Sequence, residues 1–153
     1  MLEKYLKVLI VSMIPLIELR GAIPYATYLN LPIILSYITA IIGNMLPVPF
    51  IYFFARKILI WGSNIKYINK ICQWILKKGE KAGKKLEKGG HGTYIALLLF
   101  VGIPLPGTGA WTGTLAASIL NMDFKKSVAS IILGVLLAGI IMLLVSLGVL
   151  NII

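Results

Sequence analysis

The chain has 153 residues, 59% of them hydrophobic and 13% charged, with a mean hydropathy of +0.94 and a net charge of +10. That balance excludes a water-soluble domain, which could not bury so much apolar surface, and predicts an integral membrane protein. One cysteine, Cys72, excludes an internal disulfide; with a single histidine, His91, it leaves no ligand set for zinc or an iron–sulfur centre, so no cofactor is expected.

The opening MLEKYLKVLIVSMIP has the lysines and apolar run of a signal peptide, but Glu18-Leu19-Arg20-Gly21 is no small-residue cleavage site and the hydrophobic pattern continues, so no removal is expected. Residues 8–29 form the first apolar segment, interrupted by Pro15, Glu18, Arg20, Gly21 and Pro24. Each charge costs roughly 2.5–3.5 kcal/mol at the centre of a spanning helix, which predicts a re-entrant hairpin shielded by the rest of the protein. Residues 31–55 carry no charge and suit a spanning helix, kinked at Pro47 and Pro49 near the Arg56 and Lys57 anchors.

From Trp61 to Lys88, apolar residues recur every three or four positions against lysines, the pattern of an amphipathic helix on a membrane surface. Packing of this helix on a partner protein is the competing reading. Ten of the fifteen Lys and Arg residues lie between Arg56 and Lys88, against two acids, which places residues 56–93 in the cytoplasm of a multi-pass protein of the cell membrane. Orientation accounts for the net charge, and no reading motif or stacking platform for nucleic acid accompanies the lysines. His91, in a Gly-rich hinge, has no acid beside it and reads as an interfacial residue.

Residues 94–121 form the second broken segment. Its centre, Phe100 to Leu115, crowds Pro104, Pro106, Gly102, Gly107, Gly109 and Gly113 together, so two half-helices meeting at a turn are expected. Such a break is tolerated in hydrocarbon only where protein covers it or it lines a polar cavity. Residues 127–150 are a plain spanning helix with Gly134, Ala138 and Gly139 offered for close packing.

The fold expected is therefore an all-α membrane protein of two halves, each a re-entrant hairpin plus a spanning helix, joined by the basic surface helix. Ile14-Pro15-Leu16 matches Ile103-Pro104-Leu105, Gly21-Ala22 falls close to Gly109-Ala110, and Leu29-Asn30 lies near Leu120-Asn121. With a cytoplasmic linker, the hairpins enter from opposite sides as an inverted repeat with both termini outside. Four full crossings with both termini inside is the alternative topology.

Glu18 and Arg20 are the only charges within any apolar segment, and they stand at its break. Intramembrane charges mark function by default, although a pair that merely neutralises itself to hold the hairpin shut is the structural alternative. Desolvation and a neighbouring guanidinium push the pKa of a carboxyl in opposite directions, which suits Glu18 to proton exchange, while Arg20 suits a phosphate or carboxylate. A half-helix beginning near Thr108 offers unpaired N–H groups to an anion, with Gly107, Thr108, Gly109, Trp111 and Thr112 lining the site. Trp111 as an interfacial anchor and Thr112 bonded back to its own helix are the plain readings. Asn44, polar and mid-membrane, is a weaker candidate. No hydrolytic site or phosphate-binding Gly-Lys motif is present, so no enzyme is expected and ATP is not the energy source.

The motifs SMIPLIELRGAIPYA (residues 12–26) and LFVGIPLPGTGAWTGTLAAS (residues 99–118) closely resemble the small multidrug export proteins over nearly the whole chain. That family is distantly similar to the DedA (SNARE-associated, VTT-domain) membrane proteins, whose paired re-entrant hairpins with buried acidic and arginine residues are tied to lipid-carrier recycling and scrambling. The resemblance implies transport. DedA-type relatives usually carry an arginine in the second hairpin, and Phe100 to Ser118 has none, a departure that bears on a phosphate-lipid substrate. The functions expected are a proton-coupled secondary transporter of a small amphipath or lipid-linked anion, an energy-independent lipid scramblase, or a scaffold subunit. Membrane lipids and a second copy of the chain, as a dimer, are the partners expected.

Overall fold

A computed structural model describes residues 1–15, 17–87 and 90–150, without the side chains of 80–87 and 149–150. Lys88 and Gly89, the end of the expected surface helix and the start of the hinge, lie outside the described residues, as does Leu16.

The first broken segment is a pair of short helices, α1 (Leu2–Met13) and α2 (Glu18–Tyr28). Pro15 forces Ile14 out of helical dihedrals to φ −72°, ψ 129°, which ends α1. The two helices fold back on each other, because Lys4 Nζ near the start of α1 donates to Leu29 O just past the end of α2, at 3.2 Å. The second segment repeats the design with α6 (His91–Gly102) and α7 (Ala110–Ile119). Ile103, before Pro104, is extended at φ −82°, ψ 119°, and the base of the hairpin closes where Asp123 N donates to Tyr94 Oη at 3.4 Å.

Between them run α3 (Ile33–Met45), α4 (Pro47–Gly62) and α5 (Asn69–Glu87), and α8 (Phe124–Leu150) ends the chain. Leu46 keeps helical dihedrals and donates to Ile42 O, so α3 and α4 join into one apolar rod over Ile33–Gly62. Its 30 residues reach about 45 Å, longer than a hydrocarbon core of about 30 Å. The rod and α8 are the two described helices long and apolar enough to cross a membrane, and only 28% and 33% of their most apolar windows are buried. A core helix of a soluble protein would be mostly covered. The core interleaves aliphatic side chains such as Leu19, Ile23, Val101 and Ile131 with small ones, Ala22, Ala26, Ala40, Ala110, Ala117 and Ala138, while Ile34, Phe50, Phe54, Leu133 and Leu144 face outward.

Element bounds differ from the sequence expectation in instructive ways. The apolar rod continues past residue 55 through Arg56 and Lys57 to Gly62, and Trp61 belongs to it rather than to the expected surface helix. The chain then breaks over 63–68, where Ser63 Oγ and Asn64 Nδ2 both donate to Ile60 O and compete with the next helical turn. Accordingly α5 begins at Asn69, not Trp61, and returns across the end of α4 so closely that a Cβ on Gly62 would meet Cys72 Sγ at 2.8 Å. The last helix starts three residues early, at Phe124, because Asp123 caps it: Asp123 Oδ1 accepts from Lys126 N at 2.9 Å.

The two halves share their details. Asn30 and Asn121 both adopt left-handed dihedrals (φ 54° and 56°) just past α2 and α7. Each is followed by the same closing bond, Leu31 N to Ala26 O and Met122 N to Ala117 O. Gly43 on α3 abuts Leu9 O and Ser12 on α1, and Gly134 on α8 abuts Leu98 O and Val101 on α6. The buried set Leu19, Ala22, Ile23 and Ala26 of α2 corresponds position for position to Ala110, Gly113, Thr114 and Ala117 of α7. Across the halves α2 packs on α8 and α7 on α4, and Ser118 Oγ donates to Tyr52 O at 2.6 Å, Tyr37 Oη to Leu136 O at 2.8 Å.

Candidate functional site

The turn between α1 and α2 meets the turn between α6 and α7, and the two are bonded to each other. Glu18 opens α2 in a left-handed conformation, φ 51°, which aims its side chain away from its own helix. Its carboxylate, in a residue only 4% exposed, accepts from Ala110 N at 3.3 Å and Trp111 N at 3.0 Å, so it caps the first turn of α7 from across the molecule. A carboxylate there satisfies two orphan donors and meets the positive end of the helix dipole, worth about 0.3–2 kcal/mol. Gly109, at φ 137°, makes the approach possible: a Cβ at that position would overlap the Glu18 carboxylate.

Arg20, one half-turn on, binds the other side of the same turn. Its guanidinium donates to Leu105 O, to Ile103 O at 3.3 Å and to Thr108 Oγ1 at 2.8 Å. Pro104 and Pro106 have left this turn without a helical ladder, and Arg20 supplies the missing donors. Thr108 Oγ1 lies 2.9 Å from Ile103 O and 2.8 Å from Leu105 O, which knots the turn around the guanidinium. In return the Trp111 indole N–H donates to Met13 O, the last residue of α1, at 3.2 Å.

Of the residues singled out from sequence, Glu18, Arg20, Thr108, Gly109 and Trp111 come together in this junction. No ion pair joins Glu18 and Arg20 among the described residues; each acts on the opposite hairpin, so the pair does not hold its own hairpin shut. The N–H groups expected to await an anion are occupied by Glu18, and the helix starts at Ala110 rather than near Thr108. Gly107, at φ 81°, shapes the turn in open space. Thr112 Oγ1 bonds back to Gly109 O at 3.4 Å, the plain reading. No hydrogen bond joins Asn44 to the junction; it is buried in α3, and its Oδ1 has no partner among the described residues. Two participants had no signal of their own in sequence: the Met13 carbonyl, and Thr114, fully buried, whose Oγ1 donates to Ala110 O at 2.5 Å and stiffens the first turn of α7. Beside the junction an open apolar groove of about 320 Å³ runs between α4 and α7, lined by Phe50, Phe54, Ile58, Trp111 and Leu115 among others.

The family described as "Putative small multi-drug export protein" matches residues 18–141, most of the chain, and the chain belongs to that family. No curated protein and no solved structure matches it. Family membership, together with two long apolar helices whose outer faces are uncovered, makes this a membrane protein.

Proposed function

We propose that this member of the small multi-drug export family is a proton-coupled secondary transporter, not an enzyme, that moves a small amphipathic molecule or a lipid-linked anion across the cell membrane. The observation that carries the reading is the buried Glu18 carboxylate bonded to Ala110 N and Trp111 N. An acid is thereby placed at the contact between two hairpins whose arms, 10 to 12 residues each, reach only about 15–18 Å. Ionised, Glu18 accepts both N–H groups; protonated, it loses the charge that makes such bonds roughly twice as strong as neutral ones. Proton uptake thus loosens the junction and frees Arg20 and the start of α7 for an anionic group of the cargo.

In this reading both broken segments are re-entrant, the basic end of the molecule faces the cytoplasm, and the hairpins enter from opposite leaflets. The matched caps, glycines and buried positions of the two halves support an inverted repeat, the arrangement in which facing broken helices form a midplane site. The groove beside Trp111 suits the apolar part of the cargo, and so few helices around one pathway favour a homodimer.

The test is flux of a fluorescent amphipathic dye in proteoliposomes. Wild-type flux should follow an imposed pH gradient and Glu18→Gln should lose that dependence; a Glu18→Gln protein with unchanged gradient-driven flux overturns the proposal. The groove, apolar and lined by α4 and α7, also favours a second reading as an energy-independent scramblase, in which a labelled phospholipid exchanges leaflets regardless of the gradient.

A further inference from the structure

We propose that a second groove, between α5 and α7, holds one anionic phospholipid of the adjacent leaflet, its hydrocarbon against Trp74, Ile75, Ala116 and Ile119 and its phosphate at the Lys78 ammonium. This site is separate from the hairpin junction and does not depend on what the chain transports.

The groove has a volume of about 300 Å³, and apart from Lys78 its lining is apolar or glycine. Its walls are fixed by a close backbone approach, since a Cβ on Gly79 of α5 would overlap the Ile119 carbonyl oxygen on α7. Lys78 Nζ lies 4.4 Å from the centre of the Trp74 ring, and both residues line the groove, so the ammonium is held at it. An exposed tryptophan beside a lysine is the pairing found where an apolar body meets a wet headgroup layer.

The charge around the groove selects the occupant. Lys66, Lys70, Lys77 and Lys78 are exposed on or just before α5, and Lys125 and Lys126 open α8 directly after α7. Asp123 is committed to capping α8 through Lys126 N, and the two acids of α5, Glu80 and Glu87, are outnumbered by its lysines. A second copy of the chain would bring the same lysines against these and be repelled, whereas an anionic phosphate with an apolar tail satisfies both the lysine and the groove.

The full chain, purified in mild detergent, is incubated with phosphatidylglycerol or phosphatidylcholine and retained lipid is counted by native mass spectrometry. Wild type should retain one phosphatidylglycerol in preference to phosphatidylcholine. Lys78→Gln should weaken that retention about fivefold and Lys78→Arg restore it, while Lys66→Gln, equal in charge but outside the groove, should leave it unchanged. Ala116→Phe should abolish it by filling the groove, and glycerol phosphate alone should not be retained. Equal retention of the two lipids, an equal loss from Lys66→Gln, or full retention by a folded Ala116→Phe protein would overturn the site. The lipid comparison and the lysine variants leave the core untouched, so a failure of Ala116→Phe to fold does not remove the test.

Discussion

Arg20 and Trp111 stand at matching places in the two hairpins, two residues past Glu18 and Gly109 respectively, and each donates across the junction to the carbonyls where the other hairpin's first helix ends. Arg20 reaches Ile103 O, and Trp111 reaches Met13 O. The second hairpin thus fills the place of an arginine with a neutral donor, and the junction carries one cation instead of two.

Substitutions at these two positions should be coupled. Arg20→Lys keeps the charge but loses the planar fork whose separate nitrogens reach two carbonyls and a hydroxyl, and Trp111→Phe keeps the ring but loses the N–H. Each should cost about 0.5–1.5 kcal/mol of stability, the net worth of a hydrogen bond that is not fully buried. In the double variant the losses should fall short of their sum by at least about 0.5 kcal/mol, measured by thermal unfolding in lipid nanodiscs. Full additivity would mean that the two bonds do not share one junction.

Gly109→Ala should be among the most damaging single-methyl additions in the chain. It forces alanine to φ 137° and drives its Cβ into the Glu18 carboxylate. The expected cost is about 2–4 kcal/mol, from backbone strain together with the lost cap. Gly92→Ala, in α6 with nothing within 4 Å of the added carbon, is the control and should be neutral or mildly stabilising. Comparable melting temperatures for the two variants would contradict the contact with Glu18.

The correspondence of the halves makes its own prediction. Gly43→Ala pushes α3 off α1 at Leu9 O, and Gly134→Ala pushes α8 off α6 at Leu98 O, a Cβ meeting the carbonyl at 2.5 and 2.7 Å respectively. Overpacking of this kind costs about 1–3 kcal/mol. The two losses should be similar in unfolding measurements, and a large disparity would show that the halves are not mechanically equivalent.

Much of this architecture is legible in the residues. Ile-Pro pairs at 14–15 and 103–104 mark where helices must stop, because proline disfavours a helical residue before it, and the structure ends α1 and α6 there. The Leu-Asn pairs at 29–30 and 120–121 mark the matching caps. Gly21-Ala22 is misleading, for the second turn is two residues longer: the places of Glu18 and Leu19 are taken by Gly109 and Ala110, and those of Gly21 and Ala22 by Thr112 and Gly113. The start of α5 was hidden because Trp61, Ile65, Ile68 and Cys72 keep a helical period straight through a break made by Ser63 and Asn64. Glu18 and Arg20 announce themselves as charges in an apolar run. That they serve the opposite hairpin was not legible, since the bonds join residues more than eighty positions apart and no local pattern encodes that pairing.

Each hairpin is also clasped at its open end, by Lys4 on Leu29 O and by Asp123 N on Tyr94 Oη. Like tweezers gripped at the base, such arms yield most easily at their points, where Glu18, Arg20 and Trp111 supply the fastening. Parting the points therefore requires three side chains to let go, while the alanine-lined contacts behind them stay in place.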